Sequence, residues 1–168
     1  MFEKNITFIG MPGAGKSTVG VVVAKLLCMT FIDADLLIQT KQKKRLSKII
    51  EEVGNEGFLK IENDILANLN VHNSVISTGG SAIFGKAAME HLKKMSTVVY
   101  IKVPFEILEK RLKNLKRRGV ILEEGQTLKD VFEVRSPLYE KYADIVIEVD
   151  NDMDIQDTAI KIAELLEK

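Results

Sequence analysis

Short runs of apolar, β-branched residues alternate with longer stretches of helical periodicity along the chain. The apolar runs are nearly continuous, which is typical of strands buried on both faces of a parallel sheet. A strand followed by a helix, repeated five times, indicates a parallel sheet that helices cover on both faces. The pattern therefore predicts an α/β fold of three layers, with a five-stranded parallel sheet between two layers of helices.

The pattern also sets the bounds of each predicted element. Strands are predicted at residues 5–10, 30–33, 74–78, 96–103 and 144–149. Helices are predicted at 16–27, 47–69 with a break near Gly54, 85–93, 104–115, 128–142 and 155–166. No repeat or linker interrupts the 168 residues, so a single domain is expected over residues 1–168. The irregular, charged segment at about 112–126 is predicted to be a mobile lid.

Composition and charge narrow the classes of function. The 24 basic residues balance the 24 acidic ones, which gives no support to a surface for nucleic acid. No apolar run approaches the ~20 residues of a membrane span, and the N-terminus lacks the apolar core of a signal peptide. The single cysteine, Cys28, fits a reducing compartment. We therefore expect a cytoplasmic monomer that acts on a small molecule rather than on nucleic acid or a membrane.

A phosphate-binding motif follows the first predicted strand. The segment GMPGAGKST, residues 10–18, satisfies G-x-x-x-x-G-K-[ST], in which main-chain N–H groups and a helix N-terminus surround a phosphate. Lys16 is expected to reach the β- and γ-phosphates, and the Ser17 hydroxyl to contact Mg²⁺. The motif predicts a nucleoside triphosphate but does not name the reaction. Its expected contacts are Gly13, Ala14, Gly15, Lys16, Ser17 and Thr18.

Two aspartates, Asp33 and Asp35, end the second predicted strand. Ligands gather at the carboxyl ends of parallel strands, and residues two apart on a strand face the same way. Asp33 is therefore a candidate for holding Mg²⁺, directly or through water. Asp35 is a candidate for orienting an acceptor hydroxyl or taking its proton. An N-cap of the helix beginning LLIQ is the structural alternative for Asp35.

The pair Gly79 and Gly80 follows the third predicted strand, at the same edge of the sheet as Asp33. Glycines allow a ligand to approach the main chain closely. A tight turn between strand and helix explains the same two residues without any ligand. Their position beside the phosphate motif favours a place in the binding site.

Arginines late in the chain are candidates for binding negative charge. Phosphoryl transfer needs positive charge over the transferring group, which Arg117 and Arg118 can supply if the lid closes. Arg135 can grip a carboxylate through two parallel hydrogen bonds. The alternative for Arg135 is a surface salt bridge with Glu133 or Glu140, which contributes less than about 1 kcal/mol.

Taken in order, these motifs resemble the shikimate kinase family over nearly the whole chain. The resemblance rests on GMPGAGKST, FIDADLLI, the G-x-E-x-F-x-x-x-E frame of GNEGFLKIE at residues 54–62, STGG, the arginine-rich lid and R-S-P-L-Y-x-x-x-A-D. It implies a P-loop fold of the nucleoside monophosphate kinase type. It also implies ATP-dependent phosphorylation of shikimate to shikimate 3-phosphate, in the biosynthesis of aromatic amino acids.

The resemblance assigns a role to individual positions. It implies that Lys16, Ser17 and Asp33 meet the phosphates and Mg²⁺, and that Asp35 binds the substrate hydroxyls. The main chain of Gly79 and Gly80 is expected to meet the substrate. The implied contacts of the arginines are adenine for Arg111, the phosphates for Arg118 and the substrate carboxylate for Arg135.

Four positions depart from the family pattern. Ser81 replaces a third glycine, the lid reads RGVI at residues 118–121 instead of Arg-Pro-Leu-Leu, and Val134 replaces a glutamate. Leu59 stands where the family carries a second arginine for the substrate carboxylate, while Glu62, which steadies that arginine, is kept. A charge-assisted hydrogen bond contributes roughly 1.5–3 kcal/mol, so its loss weakens shikimate binding by about one to two orders of magnitude.

These departures leave the acceptor open. Leu59 is expected to line the acceptor pocket. Homoserine is an alternative acceptor, because its ammonium group can pair with a freed Glu62 while Arg135 holds its carboxylate. Gluconate is a further alternative, although R-S-P-L-Y and STGG fit it less well. An alternative of another class is a nucleotide-binding regulatory module without catalysis, which the intact phosphate and Mg²⁺ positions argue against.

Overall fold

The computed structural model describes residues 4–112, 125–150 and 154–167. Within them, five strands form one parallel sheet: β1 (Asn5–Ile9), β2 (Thr30–Asp33), β3 (Ser74–Ser77), β4 (Ser96–Lys102) and β5 (Ile145–Glu148). Their order across the sheet is β2-β3-β1-β4-β5. Because β1 is central, the crossovers on its two sides diverge at its carboxyl end, which is where open parallel sheets bind ligands.

The helices of the described ranges cover this sheet. They are α1 (Lys16–Leu26), α2 (Ala34–Gln42), α3 (Leu46–Ala67), α4 (Lys86–Met95), α5 (Phe105–Arg111), α6 (Leu128–Tyr142) and α7 (Ile155–Leu166). A short 3₁₀ turn, Ala82–Phe84, precedes α4. Every residue of β1 and β3 is buried, so both faces are covered at the centre of the sheet. The predicted α/β fold with five parallel strands is confirmed.

Two hydrophobic clusters hold the elements together. The larger one joins the strands to α1, α4, α6 and α7. The smaller one contains Ile38 of α2 and Ile49, Phe58 and Ile65 of α3. It fastens α2 to α3 and so fixes the position of Phe58 near the carboxyl edge of the sheet. Burying side chains of this size contributes about 1.5–3 kcal/mol each.

Most predicted bounds agree with the structure, with instructive differences. The break in α3 occurs at Gly54, whose φ of 70° and ψ of 179° lie outside the helical region. The prediction missed the extent of α2, which begins at Ala34, immediately after β2. The helix predicted over 104–115 ends at Arg111, and the predicted lid at 112–126 lies largely outside the described residues. No helix in the described part of the chain is long and apolar enough to cross a membrane.

Candidate active site

The phosphate motif forms the loop between β1 and α1. Gly13 and Gly15 have φ values of 79° and 90°, in the left-handed region that side chains disfavour. Gly15 directly precedes α1, so the loop leads into the N-terminus of this helix. The Lys16 ammonium donates hydrogen bonds to the carbonyls of Gly10 (2.8 Å) and Met11 (3.0 Å). Lys16 therefore lies folded over its own loop.

Lys16 is buried in an environment that contains both signs of charge. Burial lowers the pKa of Lys16 to about 8, and the positive charge of Arg135 adds to this effect. The negative charge of Asp35 opposes it more strongly than that of Asp33 or Glu62. The ammonium thus keeps its proton near neutral pH and remains available to anionic oxygens.

Ser17 and Asp33 lie together beside the loop. The Ser17 hydroxyl donates to Asp33 Oδ2 at 2.7 Å and lies 3.1 Å from the Ser77 hydroxyl. Asp33 Oδ1 accepts from the Leu36 N–H at 3.1 Å, so Asp33 is the N-cap of α2. An exposed hydroxyl next to a half-buried carboxylate is a donor set that fits Mg²⁺, which prefers oxygen ligands.

Asp35 is placed by a helix rather than by a strand. The expectation that Asp33 and Asp35 share a strand face is wrong, because β2 ends at Asp33 and Asp35 lies in the first turn of α2. The alternative that Asp35 is the N-cap is wrong as well, since Asp33 fills that position. Burial raises the pKa of Asp35, the charge of Asp33 raises it further, and Lys16 opposes both.

A cleft of about 220 Å³ opens at this edge of the sheet. It brings together most of the predicted acceptor residues, which lie far apart in sequence. Leu46, Phe58 and Thr78 also line it, although they were not predicted as site residues. Of these three, Phe58 belongs to the G-x-E-x-F frame, so this motif could have indicated it as a site residue. The lining is Pro12, Gly13, Gly15–Thr18, Asp35, Leu46, Phe58, Thr78–Ser81 and Arg135.

Neighbouring protein atoms leave no space for a side chain at Gly79 or Gly80. A Cβ atom on Gly79 would lie 2.5 Å from Glu62 Oε1, and one on Gly80 would lie 2.8 Å from Pro12 Cδ. Neither glycine has a positive φ, so space rather than main-chain conformation selects it. The Tyr139 hydroxyl donates to the Gly80 carbonyl at 2.6 Å, which fixes the turn from α6. This role of Tyr139 was not predicted from the sequence, although Tyr139 is part of R-S-P-L-Y.

Arg135 lies inside the cleft wall and not on the surface. Only 5% of it is exposed, and its guanidinium carbon lies 5.5 Å from the centre of the Phe84 ring, at cation–π distance. Glu140 pairs instead with Lys102 at 3.0 Å, and Glu133 lies 3.9 Å from Lys129. The surface salt bridge considered for Arg135 is therefore wrong.

Glu62 and Leu59 are placed differently from what the sequence suggested. Glu62 is 1% exposed and accepts a 2.6 Å hydrogen bond from the Ser81 hydroxyl. Burial is the main cause that raises its pKa to about 7. Leu59 does not line the cleft, contrary to expectation. It lines a separate open groove of about 500 Å³ that also contains Phe84.

A second cavity of about 350 Å³ lies on the other side of the phosphate loop. It shares Gly13, Gly15 and Thr18 with the cleft, so the loop separates two adjoining binding spaces. Arg111 lines this cavity and its guanidinium donates to the Gly13 carbonyl at 3.2 Å. Ala14 lines it as well. Arg118, predicted to reach the phosphates, lies outside the described residues.

The sequence of the chain is similar to those of known proteins over most of its length. A family model described as "Shikimate kinase" matches residues 12–167. The shikimate kinase of Pasteurella multocida (strain Pm70) is 36% identical over 152 residues, which cover 88% of this chain and 87% of that protein. Threonine synthase-like 1 of Homo sapiens is 34% identical over 169 residues, which cover 99% of this chain but 23% of that protein.

A solved structure resembles the whole fold. The shikimate kinase from Acinetobacter baumannii in complex with shikimate has a TM-score of 0.89 and 35% sequence identity. The alignment covers 98% of this chain and 93% of that one. The similarity therefore extends over both cavities and the phosphate loop between them.

Proposed function

Because the chain belongs to the shikimate kinase family, we propose that it transfers the γ-phosphoryl group of ATP to a hydroxyl of shikimate. The observation that carries the proposal is the pair of cavities that share the phosphate loop. A donor nucleotide on one side and an acceptor on the other would meet at Lys16 and Ser17. The shikimate-bound relative at 35% identity supports shikimate as the acceptor.

The donor side is assigned to the phosphate loop and Arg111. The glycine-rich main chain and the N-terminus of α1 hold the phosphates of ATP, and Lys16 balances their charge. Arg111 borders the second cavity, and we assign it to contact with adenine. Ser17 and Asp33 are the residues that would hold Mg²⁺. When bound, Mg²⁺ neutralises charge on the β- and γ-phosphates.

The acceptor side is assigned to Asp35 and Arg135. Asp35 lines the cleft beside Lys16 and orients the hydroxyl that attacks the γ-phosphorus. Its raised pKa suits it to accept the proton that this hydroxyl releases. Arg135 grips the acceptor carboxylate, and the main chain of Gly79 and Gly80 lines the space between. Arg118 is proposed to reach the phosphates from the lid.

The geometry favours shikimate over homoserine. Homoserine as the acceptor requires a freed Glu62 that meets its ammonium group. Ser81 already donates to Glu62, and the other oxygen, Oε1, lies behind Gly79 and is closed to solvent. An ammonium group in the cleft therefore reaches Glu62 only if the glycine turn moves. Leu59 still leaves the carboxylate with one arginine fewer than the family pattern.

The experiment is a coupled assay of ADP release with ATP, Mg²⁺ and each of shikimate, homoserine and gluconate. We expect turnover with shikimate, with a KM about one to two orders of magnitude above that of family members that carry the arginine. Lys16→Met, which removes the ammonium that balances the phosphate charge, is the control and is expected to lose turnover. More efficient turnover of homoserine or gluconate would overturn the choice of acceptor. Nucleotide binding without turnover of any acceptor would instead indicate a regulatory module.

A further inference from the structure

Ser81 connects the acceptor cleft to α3. Its hydroxyl donates to Glu62 Oε2 at 2.6 Å, and both side chains are buried, with 6% of Ser81 and 1% of Glu62 exposed. The two residues are 19 positions apart in sequence, so the hydrogen bond joins separate elements. A buried hydrogen bond to a carboxylate is among the stronger ones in proteins. It is therefore suited to fix the turn that follows the glycine pair.

Glu62 lies directly behind the main chain that lines the cleft. Its Oε1 has no hydrogen-bond partner among the described residues and would be 2.5 Å from a Cβ atom on Gly79. Asp35 Oδ1 is 3.1 Å from the same point. Glu62 is thus held through one oxygen only, and Ser81 supplies that contact.

The turn held by Ser81 also meets Arg135. A Cβ atom on Gly80 would lie 3.2 Å from Arg135 Nη1, and Phe84, three residues after Ser81, lies under the guanidinium at 5.5 Å. The charge of Arg135 also acts on Glu62. Any shift of the turn between Gly79 and Phe84 therefore moves two neighbours of Arg135, the main chain of Gly80 and the ring of Phe84.

We propose that Ser81 is a positioning residue for the acceptor: it holds Glu62 behind the glycine turn and thereby keeps the turn and Arg135 in place for the acceptor carboxylate. This inference rests on the proposed function. It also links two departures from the family pattern. Where the family pairs Glu62 with an arginine at position 59, this chain has Leu59 outside the cleft and pairs Glu62 with a neutral hydroxyl.

The charge state of Glu62 reports whether the hydrogen bond from Ser81 is present. The ionisable groups that act on it are Asp35, which raises its pKa, and Arg135 and Lys16, which lower it. The Ser81 hydrogen bond lowers the pKa as well, against the larger effect of burial. Removing the hydroxyl should therefore raise the pKa of Glu62 above its value of about 7.

The kinetic test compares Ser81→Ala with the wild type, with shikimate varied at saturating ATP. We expect the KM for shikimate to rise about tenfold or more, while kcat and the KM for ATP stay within about twofold. Any part of the acidic limb of kcat/KM for shikimate that follows the ionisation of Glu62 should move to higher pH. Ser81→Thr, which keeps the hydroxyl, should restore the KM and the pH profile.

The matched control is Ser74→Ala. Ser74 is also a buried serine whose hydroxyl donates a hydrogen bond, at 2.9 Å to the His72 carbonyl, but it lies at the start of β3. Its loss is expected to lower stability without changing the KM for shikimate. Equal kinetic effects of the two alanine variants, or no effect of Ser81→Ala, would overturn the proposal.

A second measurement does not depend on the acceptor. NMR of the free protein follows the carboxyl carbon of Glu62 and the side-chain N–H signals of Arg135. In Ser81→Ala we expect a higher titration midpoint for Glu62 and shifted Arg135 signals, and neither change in Ser74→Ala. Unchanged Arg135 signals would overturn the positioning role. If the wild type does not phosphorylate shikimate and Ser81→Ala still shows both NMR changes, the proposed acceptor is overturned. The role of Ser81 in positioning Arg135 then stands.

Discussion

The hydroxyl of Tyr139 donates a 2.6 Å hydrogen bond to the main-chain carbonyl of Gly80. Tyr139 is fully buried, and its ring stacks on Tyr100 with 5.1 Å between ring centres. Burial raises the pKa of Tyr139, so its hydroxyl keeps the proton that it donates. α6 therefore fixes both a cleft residue, Arg135, and the glycine turn opposite it.

Tyr139→Phe tests this connection. The substitution keeps the stacked ring but leaves the Gly80 carbonyl without its donor, which costs about 1–3 kcal/mol in a buried site. We expect a free energy of unfolding in urea that is lower by about that amount, together with a higher KM for shikimate. Tyr142→Phe, at a half-buried tyrosine of the same helix, serves as the control. A urea midpoint equal to that of the wild type would contradict the prediction.

Asp35→Asn separates chemistry from folding. The amide has the shape of the carboxylate but cannot take a proton, and general-base catalysis contributes about 10²–10⁴-fold. We expect kcat to fall within that range, while the melting temperature does not decrease, because one of two neighbouring carboxylates loses its charge. Circular dichroism and the coupled ADP assay measure the two quantities. Retained turnover would exclude Asp35 as the base.

Asp33→Asn distinguishes two roles of one side chain. Asn caps helices as well as Asp does, so the hydrogen bond to the Leu36 N–H should persist and α2 should stay intact. The lost charge weakens Mg²⁺ binding beside Ser17. We expect the Mg²⁺ concentration for half-maximal activity to rise about 10–100-fold. An unchanged Mg²⁺ titration would remove Asp33 from the proposed metal site.

The fold could be predicted from the sequence because its signals are local. Nearly continuous apolar runs identify buried parallel strands, and α6 and α7 match their predicted bounds. The start of α2 was harder to predict, because Asp33 is both the last residue of β2 and the N-cap of α2, so that no loop separates the two elements. A spacing of two residues is also typical of one strand face, whereas Asp35 reaches the cleft from the first turn of a helix.

The site was predictable only where a motif carries its chemistry. The P-loop spacing predicted Lys16 and Ser17 as site residues and the R-S-P-L-Y motif predicted Arg135, and all three line the cleft. The bond between Ser81 and Glu62 depends on how α3 packs beside the loop after β3, and no spacing along the chain encodes that distance. Leu59 shows the same limit, because a helical position assigns a face but not the cavity that this face borders.

Leu59→Arg tests whether the missing arginine sets the affinity for the acceptor. Residues three apart on a helix are neighbours, so a guanidinium at position 59 can contact Glu62 and extend toward the cleft. We expect the KM for shikimate to fall about tenfold or more, with kcat unchanged. Leu59→Met is the uncharged control of similar size and should behave as the wild type does. An unchanged KM in Leu59→Arg would show that affinity is set elsewhere in the cleft.

Glu62→Gln tests the electrostatics beneath the glycine turn through stability. The folded-state pKa of Glu62 is about 7, above the ordinary value of 4.5, mainly because the carboxyl is buried. Between these two values the folded protein holds a proton that the unfolded chain has released. The free energy of unfolding therefore falls as the pH rises through this window, and the loss is complete above about pH 7. A shift of this size corresponds to a contribution on the order of 3 kcal/mol.

Glutamine does not titrate, so the variant should lack this loss. We expect urea unfolding to give similar free energies for Glu62→Gln and the wild type near pH 5, and a more stable variant near pH 8. Glu56→Gln, at an exposed position of the same helix, should follow the wild type throughout. Stability curves of wild type and Glu62→Gln that run parallel from pH 5 to 8 would mean that Glu62 is ionised throughout that range. The Ser81 hydroxyl, Arg135 and Lys16 would then together outweigh the burial of the carboxylate.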